Sequence, residues 1–324
     1  MKALVTGIAG QDGSYLAEFL LQKGYQVFGF KRHEDNLANI GHIKRKIVLI
    51  DGDLANAKDV FKAVEQSMPD EVYNLAAISH VVKAASAKNL YDVNVGGVRY
   101  IIEAVKKLKP DAKLFQASSA KMFGGSTICP QNEQTPFSPV SEYAKSKVEA
   151  HKLIVQARND GLFASCGILY NHESPRRTVD FVSRKISSTV ARIAKGEKLI
   201  LKLGNLNAVN DWGFAGDYVK AMHLILQQEK PDDFIIGTGE RHTVRDFVNE
   251  AFAFVGKTIE WRGTGVDEKG YADGKLLVEV DPQFLRPADT TPSVADFSKI
   301  KKAGWKPEVS FSQLVKMMVS ADLR

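Results

Sequence analysis

Ser141-Glu142-Tyr143-Ala144-Lys145-Ser146-Lys147 sets a tyrosine and a lysine four positions apart, in a stretch whose apolar pattern predicts a helix over Ser141–Ala157. On a helix that spacing puts Tyr143 and Lys147 on one face. A phenol with pKa about 10 is a poor base at neutral pH. A nearby ammonium and a cationic nicotinamide ring would both lower that pKa. Tyr143 could then exchange a proton with a substrate hydroxyl while hydride moves to or from the nicotinamide. Ser119, at the end of a predicted strand over Lys113–Ser119, is the natural third member and would hold the reacting oxygen. The spacing recurs by chance on helices. Its weight comes from lying one element after Ser118-Ser119 and downstream of a glycine turn.

That turn is Gly7-Ile8-Ala9-Gly10-Gln11-Asp12-Gly13, between a predicted strand Lys2–Gly7 and a predicted helix Gly10–Lys23. Gly7, Gly10 and Gly13 let the chain turn tightly and let backbone N–H groups, with Gln11 and Asp12 beside them, approach a pyrophosphate at the helix N-terminus. The strand–turn–helix context raises a weak motif to a dinucleotide site. The second strand ends Gly29-Phe30-Lys31-Arg32-His33, with no carboxylate before Glu34 and Asp35. Lys31 and Arg32 there suit a 2′-phosphate, so the expected cofactor is NADP, with NAD as the alternative. Asp53 and Leu54, after the third strand, are expected at the adenine. Leu75, Ala76 and Ala77, after Asn74 on the fourth, are expected to run beside the cofactor.

These residues need a frame, and the first half of the chain supplies a regular one. Strand-like runs at Tyr25–Phe30, Lys46–Asp51, Glu71–Ala77, Lys113–Ser119 and Phe163–Tyr170 alternate with helical patterns at Ala57–Glu65, Leu90–Leu108 and Ser141–Ala157. The alternation predicts an α/β fold, a Rossmann-type doubly wound parallel sheet. The second half is less regular. It predicts helices at Phe181–Lys195, Gly216–Gln227, Thr243–Val255, Ser293–Lys302 and Ser310–Ala321. Strands are expected at Asp233–Gly239, Thr258–Arg262 and Leu276–Val280. The expected division is a dinucleotide-binding domain over 1–165 and a smaller mixed α/β, mainly substrate-binding domain over 166–324, partly interleaved with the first.

The bulk composition narrows the partners. Lys and Arg exceed Asp and Glu to give a net charge of +6, but the signs are interspersed along all 324 residues, so nucleic acid is not the expected partner. No apolar run of about 18 residues predicts a membrane span. Cys129 and Cys166 have neither disulfide nor metal spacing, and no metal site is expected. The start reads straight into strand and turn rather than a secretion signal, so the expected location is cytoplasmic.

Nearly end to end, the chain resembles the GDP-mannose 4,6-dehydratases, within the extended short-chain dehydrogenase/reductases. The resemblance rests on Leu4-Val5-Thr6-Gly7-Ile8-Ala9-Gly10-Gln11-Asp12-Gly13-Ser14-Tyr15-Leu16-Ala17 and on Val72-Tyr73-Asn74-Leu75-Ala76-Ala77. Its most specific part is Gly167-Ile168-Leu169-Tyr170-Asn171-His172-Glu173-Ser174-Pro175-Arg176-Arg177. Leu203-Gly204-Asn205, Asp211-Trp212-Gly213 with Asp217-Tyr218, and Arg286-Pro287 also fit. It implies an NADP enzyme acting on a GDP-linked hexose. Sugar C4 is oxidised, a glutamate removes the C5 proton as the C6 hydroxyl leaves, and the stored hydride returns at C6. By position it places Leu169, His172 and Arg177 at the cofactor. Ser118, Asn171, Val182, Lys185, Asn210, Arg286 and Asp289 fall in the substrate pocket. It also implies a homodimer or homotetramer, with Arg176 and Arg177 near the subunit interface.

The departures cluster in that pocket. Where the family reads Ala-Ser-Thr-Ser-Glu-Met-Phe-Gly, this chain reads Ala117-Ser118-Ser119-Ala120-Lys121-Met122-Phe123-Gly124. Lys121 thus stands in the place of the eliminating glutamate and joins Ser119, Tyr143 and Lys147 as a candidate catalytic residue. Before Trp212, Asn210 stands where the family has an arginine that grips the diphosphate. Two chemistries fit: dehydration with an altered base, or C4 redox without elimination, as in a GDP-sugar C4 dehydrogenase, 4-keto reductase or 4-epimerase. A non-catalytic dinucleotide sensor would have no need of the Tyr143/Lys147 pair.

Overall fold

The computed structural model describes residues 1–78, 90–285 and 291–324. The strands of its large sheet are β1 (Lys2–Thr6), β2 (Gln26–Lys31), β3 (Val48–Asp51), β4 (Glu71–Asn74), β5 (Lys113–Ser119), β6 (Ala164–Leu169) and β11 (Asp233–Ile236), in the spatial order β11-β6-β5-β4-β1-β2-β3. All neighbours run parallel. The crossovers put α1 (Gln11–Gln22) and α6 (Ala215–Leu226) on one face. On the other lie α2 (Ala57–Ser67), α3 (Gly97–Leu108) and α4 (Glu142–Asn159). Each face buries its own apolar layer. Val5, Leu16, Leu20, Tyr73, Phe115 and Met222 pack on the first, and Leu4, Val60, Val64, Ile101, Leu114 and Ile154 on the second. Strands buried on both faces read as continuous apolar runs, which is why this half is regular in sequence.

Strand order reverses between β1 and β4, so the ends of these strands open a crevice where the two halves of the sheet diverge. Thr6 holds the crevice shut at its base. Its hydroxyl donates to Asn74 Oδ1 at 2.6 Å and accepts from the N–H groups of Leu75 and Ala76 at 3.1 Å each. Those two amides are thereby diverted from the sheet ladder, and β4 ends at Asn74 rather than at Ala77.

The second half builds a separate core. A four-stranded sheet has the order β13 (Glu260–Arg262), β14 (Lys269–Ala272), β15 (Lys275–Val280), β8 (Leu201–Leu203). It packs with α5 (Val182–Ala194), α7 (Val244–Phe254) and α9 (Phe311–Leu323) around Ile186, Trp212, Phe247, Phe252, Leu314 and Met318. Thr243 and Asp246 form a capping box on α7, as Ser310 and Gln313 do on α9. Short pairings join β10 (Trp212–Phe214) to β7 (Asn171–Glu173) and β12 (His242–Thr243) to β9 (Val209–Asn210). The chain also crosses back: β11 completes the large sheet beside β6.

Two expectations are corrected. The helix expected over Ser293–Lys302 is confined to α8 (Ser298–Lys302). The preceding residues are extended because the Val294 N–H donates to Gln131 Oε1 at 3.2 Å and the Ala295 N–H to Asp211 Oδ2 at 3.1 Å. The helix expected over Leu90–Leu108 carries a wider π-type turn at Asp92–Gly96 before α3 begins. β14 escaped sequence reading because Lys-Gly-Tyr-Ala has no apolar run.

Candidate active site

The glycine turn is packed to its limit. Gly7 has φ +68°, where a side chain is strained, and a Cβ there would meet Ala76 Cα at 3.0 Å. A Cβ on Gly13 would fall 2.3 Å from the Gly7 carbonyl oxygen and 2.6 Å from Ile8 Cα. Gly10 caps α1 with no side-chain hydrogen bond, so the first-turn amides face the crevice uncovered by a capping group. That is the cradle a pyrophosphate requires. A cleft of about 450 Å³ adjoins it, lined by Gly10, Gln11, Asn36, Asn39, Arg176 and Phe181 among others. The cleft is large enough for part of a dinucleotide.

Gln11 and Asp12 point sideways into the arm after β6. Gln11 Nε2 donates to the His172 carbonyl at 3.0 Å, and Ser174 Oγ donates to Gln11 Oε1 at 2.8 Å. His172 places Nε2 2.8 Å from Asp12 Oδ2 and Nδ1 2.7 Å from the Tyr170 carbonyl. Both ring nitrogens face acceptors, contacts that the doubly protonated imidazole satisfies together. Burial alone would push its pKa down; the charge and hydrogen bond of Asp12 outweigh that and raise it. Burial likewise raises Asp12, and His172 with Arg177 overcomes this to hold the carboxyl below its usual range. The ring stacks on Tyr218 with centroids 4.8 Å apart.

At the end of β5, Ser119, Tyr143 and Lys147 converge. Ser141 caps α4 through a hydrogen bond from the Ala144 N–H at 3.2 Å, which starts the helix so that Tyr143 and Lys147 face β5. Tyr143 is buried; burial raises its phenol pKa, and a hydrogen bond with Ser119 acts against that rise. Lys147 Nζ lies 5.9 Å from the Tyr143 ring centroid and donates to the Ala117 carbonyl at 2.9 Å. Burial pulls the Lys147 ammonium down to about 8. A residue missed in the sequence supports this face. Asn94, in the π-type turn, is buried. It accepts from the Ile78 N–H at 2.9 Å and donates to the Ile78 carbonyl at 3.3 Å and to Ser146 Oγ at 3.1 Å. A lone asparagine inside an otherwise apolar helical stripe was the available signal.

Lys121 comes directly after Ser119 and Ala120. It sits on a 3₁₀ turn (Ala120–Phe123) begun by its own N–H donating to Ser119 Oγ at 3.2 Å. Ala120, Met122 and Phe123 are buried, so Lys121 is the half-exposed residue of the turn. Ser118 points elsewhere: strand alternation turns its Oγ to His151 Nδ1 at 3.1 Å, and it is not brought to the pocket. Behind it, His151 Nε2 lies 3.4 Å from Asp233 Oδ2, with Arg158 also on Asp233. This serine–histidine–acid row is closed, with Ser118 3% and His151 4% exposed, and serves as a satisfied core network. Cys166 joins His151 and Asp233 in a grouping of metal-ligand types, already committed to these hydrogen bonds.

Asn171 and Asn210 meet: Asn171 Nδ2 donates to Asn210 Oδ1 at 2.9 Å. Leu169 ends β6 beside them, and Asp211 below ties the segment down by accepting from Thr238, Gly239 and Ala295. Val182 is exposed at the start of α5. One turn on, Lys185 holds its ammonium 3.5 Å over the Phe284 ring, its pKa lowered by burial. Asp53 uses its carboxylate on the Ala55 N–H at 2.9 Å, and Leu54 is buried against Gly97. Leu75, Ala76 and Ala77 line the crevice half-buried. Lys31 and Arg32, expected at a 2′-phosphate, are both engaged by carboxylates, Asp51 and Asp35. Arg177 pairs with Glu173 at 3.1 Å. Arg286 and Asp289 lie outside the described residues.

The family model for GDP-mannose 4,6 dehydratase matches residues 4–318. The chain belongs to the GDP-mannose 4,6-dehydratase family. It is 44% identical to a GDP-mannose 4,6 dehydratase of Homo sapiens, covering 99% of this chain and 91% of that one. It is 47% identical to GDP-mannose 4,6 dehydratase 2 of Arabidopsis thaliana, covering 99% and 86%. Among solved structures it is similar to a UDP-glucose 4-epimerase of Thermus thermophilus in complex with NAD, with a TM-score of 0.82 at 26% identity over 99% of each chain. The likeness extends over both halves of the chain, so the interleaved second half is part of the shared fold.

Proposed function

We propose that this chain is a nucleotide-sugar enzyme that opens its reaction by oxidising C4 of a GDP-linked hexose such as GDP-mannose. The observation that carries this is the convergence of Ser119, Tyr143 and buried Lys147 at the end of β5, beside a glycine cradle that fits a dinucleotide. A bound nicotinamide dinucleotide would accept hydride from C4 and return it later. Gly7, Gly10 and Gly13 would hold its pyrophosphate, with His172 and Leu169 bordering the far end. Tyr143 would take the C4 hydroxyl proton. Ser119 would hold the same oxygen, and Lys147 would favour the phenolate by its charge. Residues 166–324 would bind most of the nucleotide sugar, through Asn171, Asn210 and Lys185. By analogy with the family, the working form would be a homo-oligomer; the location expected from the sequence is the cytoplasm.

Once C4 is a ketone, the C5 proton is acidified and the C6 hydroxyl can leave if a base reaches C5. The residue on the turn beside Ser119 is Lys121, which favours a second reading: C4 redox with the C6 hydroxyl retained. Incubation with GDP-mannose and dinucleotide in D₂O, read by NMR, separates the two. A 4-keto-6-deoxy sugar with deuterium at C5 supports dehydration. C4 chemistry with C6–OH intact supports the second reading. No change at C4 refutes both.

A further inference from the structure

The segment after β2 lies beside the glycine turn, because the Gly7 N–H donates to the carbonyl of Phe30 at 3.0 Å. Residues following this strand meet the adenine-side ribose in dinucleotide folds. Here they are Lys31-Arg32-His33-Glu34-Asp35, with Asp51 opposite Lys31 on β3. Lys31, with a side chain 7% exposed, places Nζ 2.5 Å from Asp51 Oδ1 and donates to the Arg32 carbonyl at 2.9 Å. Asp35 grips Arg32 three times: Oδ1 accepts from Nε at 3.1 Å and from a terminal nitrogen at 2.9 Å, and Oδ2 accepts from the backbone N–H at 3.0 Å. Glu34 adds a contact at 3.4 Å. Across the cleft, Arg176 is held by Glu18 at 2.6 Å and Arg177 by Glu173 at 3.1 Å. Each of these four cations already has a carboxylate.

We propose that this chain binds NAD in preference to NADP, with the acidic cluster around Arg32 selecting the ribose diol. The inference rests on the nicotinamide reading above and deepens it. Any one exposed ion pair is weak. The charge sum and the directions of the donors decide the preference. Lys31 and Arg32 stand against Glu34, Asp35 and Asp51, with Lys62 also acting on Asp51, so no cation is in excess. A 2′-phosphate brings roughly two more negative charges. To receive it, Arg32 must leave Asp35, and that carboxylate then lies bare beside the phosphate. A ribose diol reverses the balance, because its two O–H donors meet groups that only accept.

The test is calorimetric titration of the nucleotide-free full chain with NAD and with NADP at one ionic strength. The wild-type protein is expected to bind NAD at least about tenfold more tightly. Asp35→Ser releases Arg32 and should move the NADP-to-NAD ratio of Kd values at least about tenfold towards NADP; Glu34→Ser should move it the same way by less. NADP binding as tight as NAD in the wild type overturns the proposal and leaves the nicotinamide reading standing. An unchanged ratio in both variants overturns the assignment to this cluster. Binding of neither dinucleotide overturns the nicotinamide reading as well.

Discussion

Replacing Lys147 by methionine should stabilise the nucleotide-free protein while abolishing its redox chemistry. The side chain is 5% exposed and makes one hydrogen bond, to the Ala117 carbonyl. Its pKa falls from 10.5 to about 8 because burial disfavours the ammonium. That fall corresponds to about 3 kcal/mol of penalty on the charged form. Methionine has a similar length and no charge to desolvate. It gives up the hydrogen bond, at about 1–2 kcal/mol, while the Ala117 carbonyl keeps its bond from Gln116 Nε2 at 2.9 Å. The net gain at pH 7 is therefore about 1–2 kcal/mol. The pH dependence has a definite sign. Below about 8 both folded and unfolded states of the wild type carry the ammonium, and the penalty is complete. Between about 8 and 10.5 the folded state releases its proton first, so the unfolded state binds more protons and wild-type stability rises with pH. Above 10.5 the penalty is gone. Urea denaturation of both proteins at pH 7 and pH 9.5 measures the difference, which should shrink at the higher pH. A Lys147→Met protein less stable than wild type at pH 7, or a gap that does not change with pH, would refute the view that burial dominates this lysine.

The same geometry sets three further outcomes. Tyr143→Phe removes the proton acceptor without opening a cavity, so C4 oxidation should fall by about 10²-fold or more while dinucleotide affinity holds, read by single-turnover kinetics and calorimetry. Lys121→Glu should introduce or raise dehydration of GDP-mannose, seen as deuterium at C5 and loss of the C6 hydroxyl. Abolition of an existing dehydratase activity would instead make Lys121 the base. Asp12→Asn should cost about 1–3 kcal/mol, discounted because Asp12 is partly exposed, and should flatten the pH profile of stability. The pair's contribution is complete above 3.8, the carboxyl's ordinary value, and is lost as pH falls through the lower folded one; it is lost again as pH rises through the His172 pKa, which lies above 6.5. Thermal unfolding of wild type and variant from pH 5 to pH 9 reads both effects.

The sheet was legible because parallel strands buried on both faces are largely apolar, and each of its seven strands overlaps one expected from the sequence. Tyr143, Lys147 and the glycines were legible because their chemistry depends on local spacing within one turn or one helix. What escaped depends on contacts distant in sequence. Thr6 ends β4 from 68 residues away, and Asp211 straightens the chain at Ala295 across 84. No local pattern records such bonds. Lys31 and Arg32 show the same limit: a sequence displays two cations, but only the fold shows that Asp51 and Asp35 already hold them. Ser118 and Ser119 differ by one position, and strand alternation alone sends one to His151 and the other to Tyr143.

The contrast between those two serines bears on the step after C4 oxidation. The turn carrying Lys121 begins at Ser119 and is anchored on both sides by buried Ala120, Met122 and Phe123. Packed side chains of that kind do not yield to a surface substitution, so the identity of residue 121 can change without moving Ser119 or Tyr143. If residue 121 supplies the eliminating base, oxidation and elimination would be separable by a single side chain. A carboxylate there accepts the C5 proton in its ordinary charge state. A lysine must first lose a proton to do so, and while charged it stabilises a nearby anion instead. An ammonium beside C5 would favour the enolate formed when that proton is lost to another group, and would then favour its return to the same carbon. On the second reading proposed above, the chemistry would be reversible at C4 and C5, and departure of the C6 hydroxyl would be the step most exposed to the replacement.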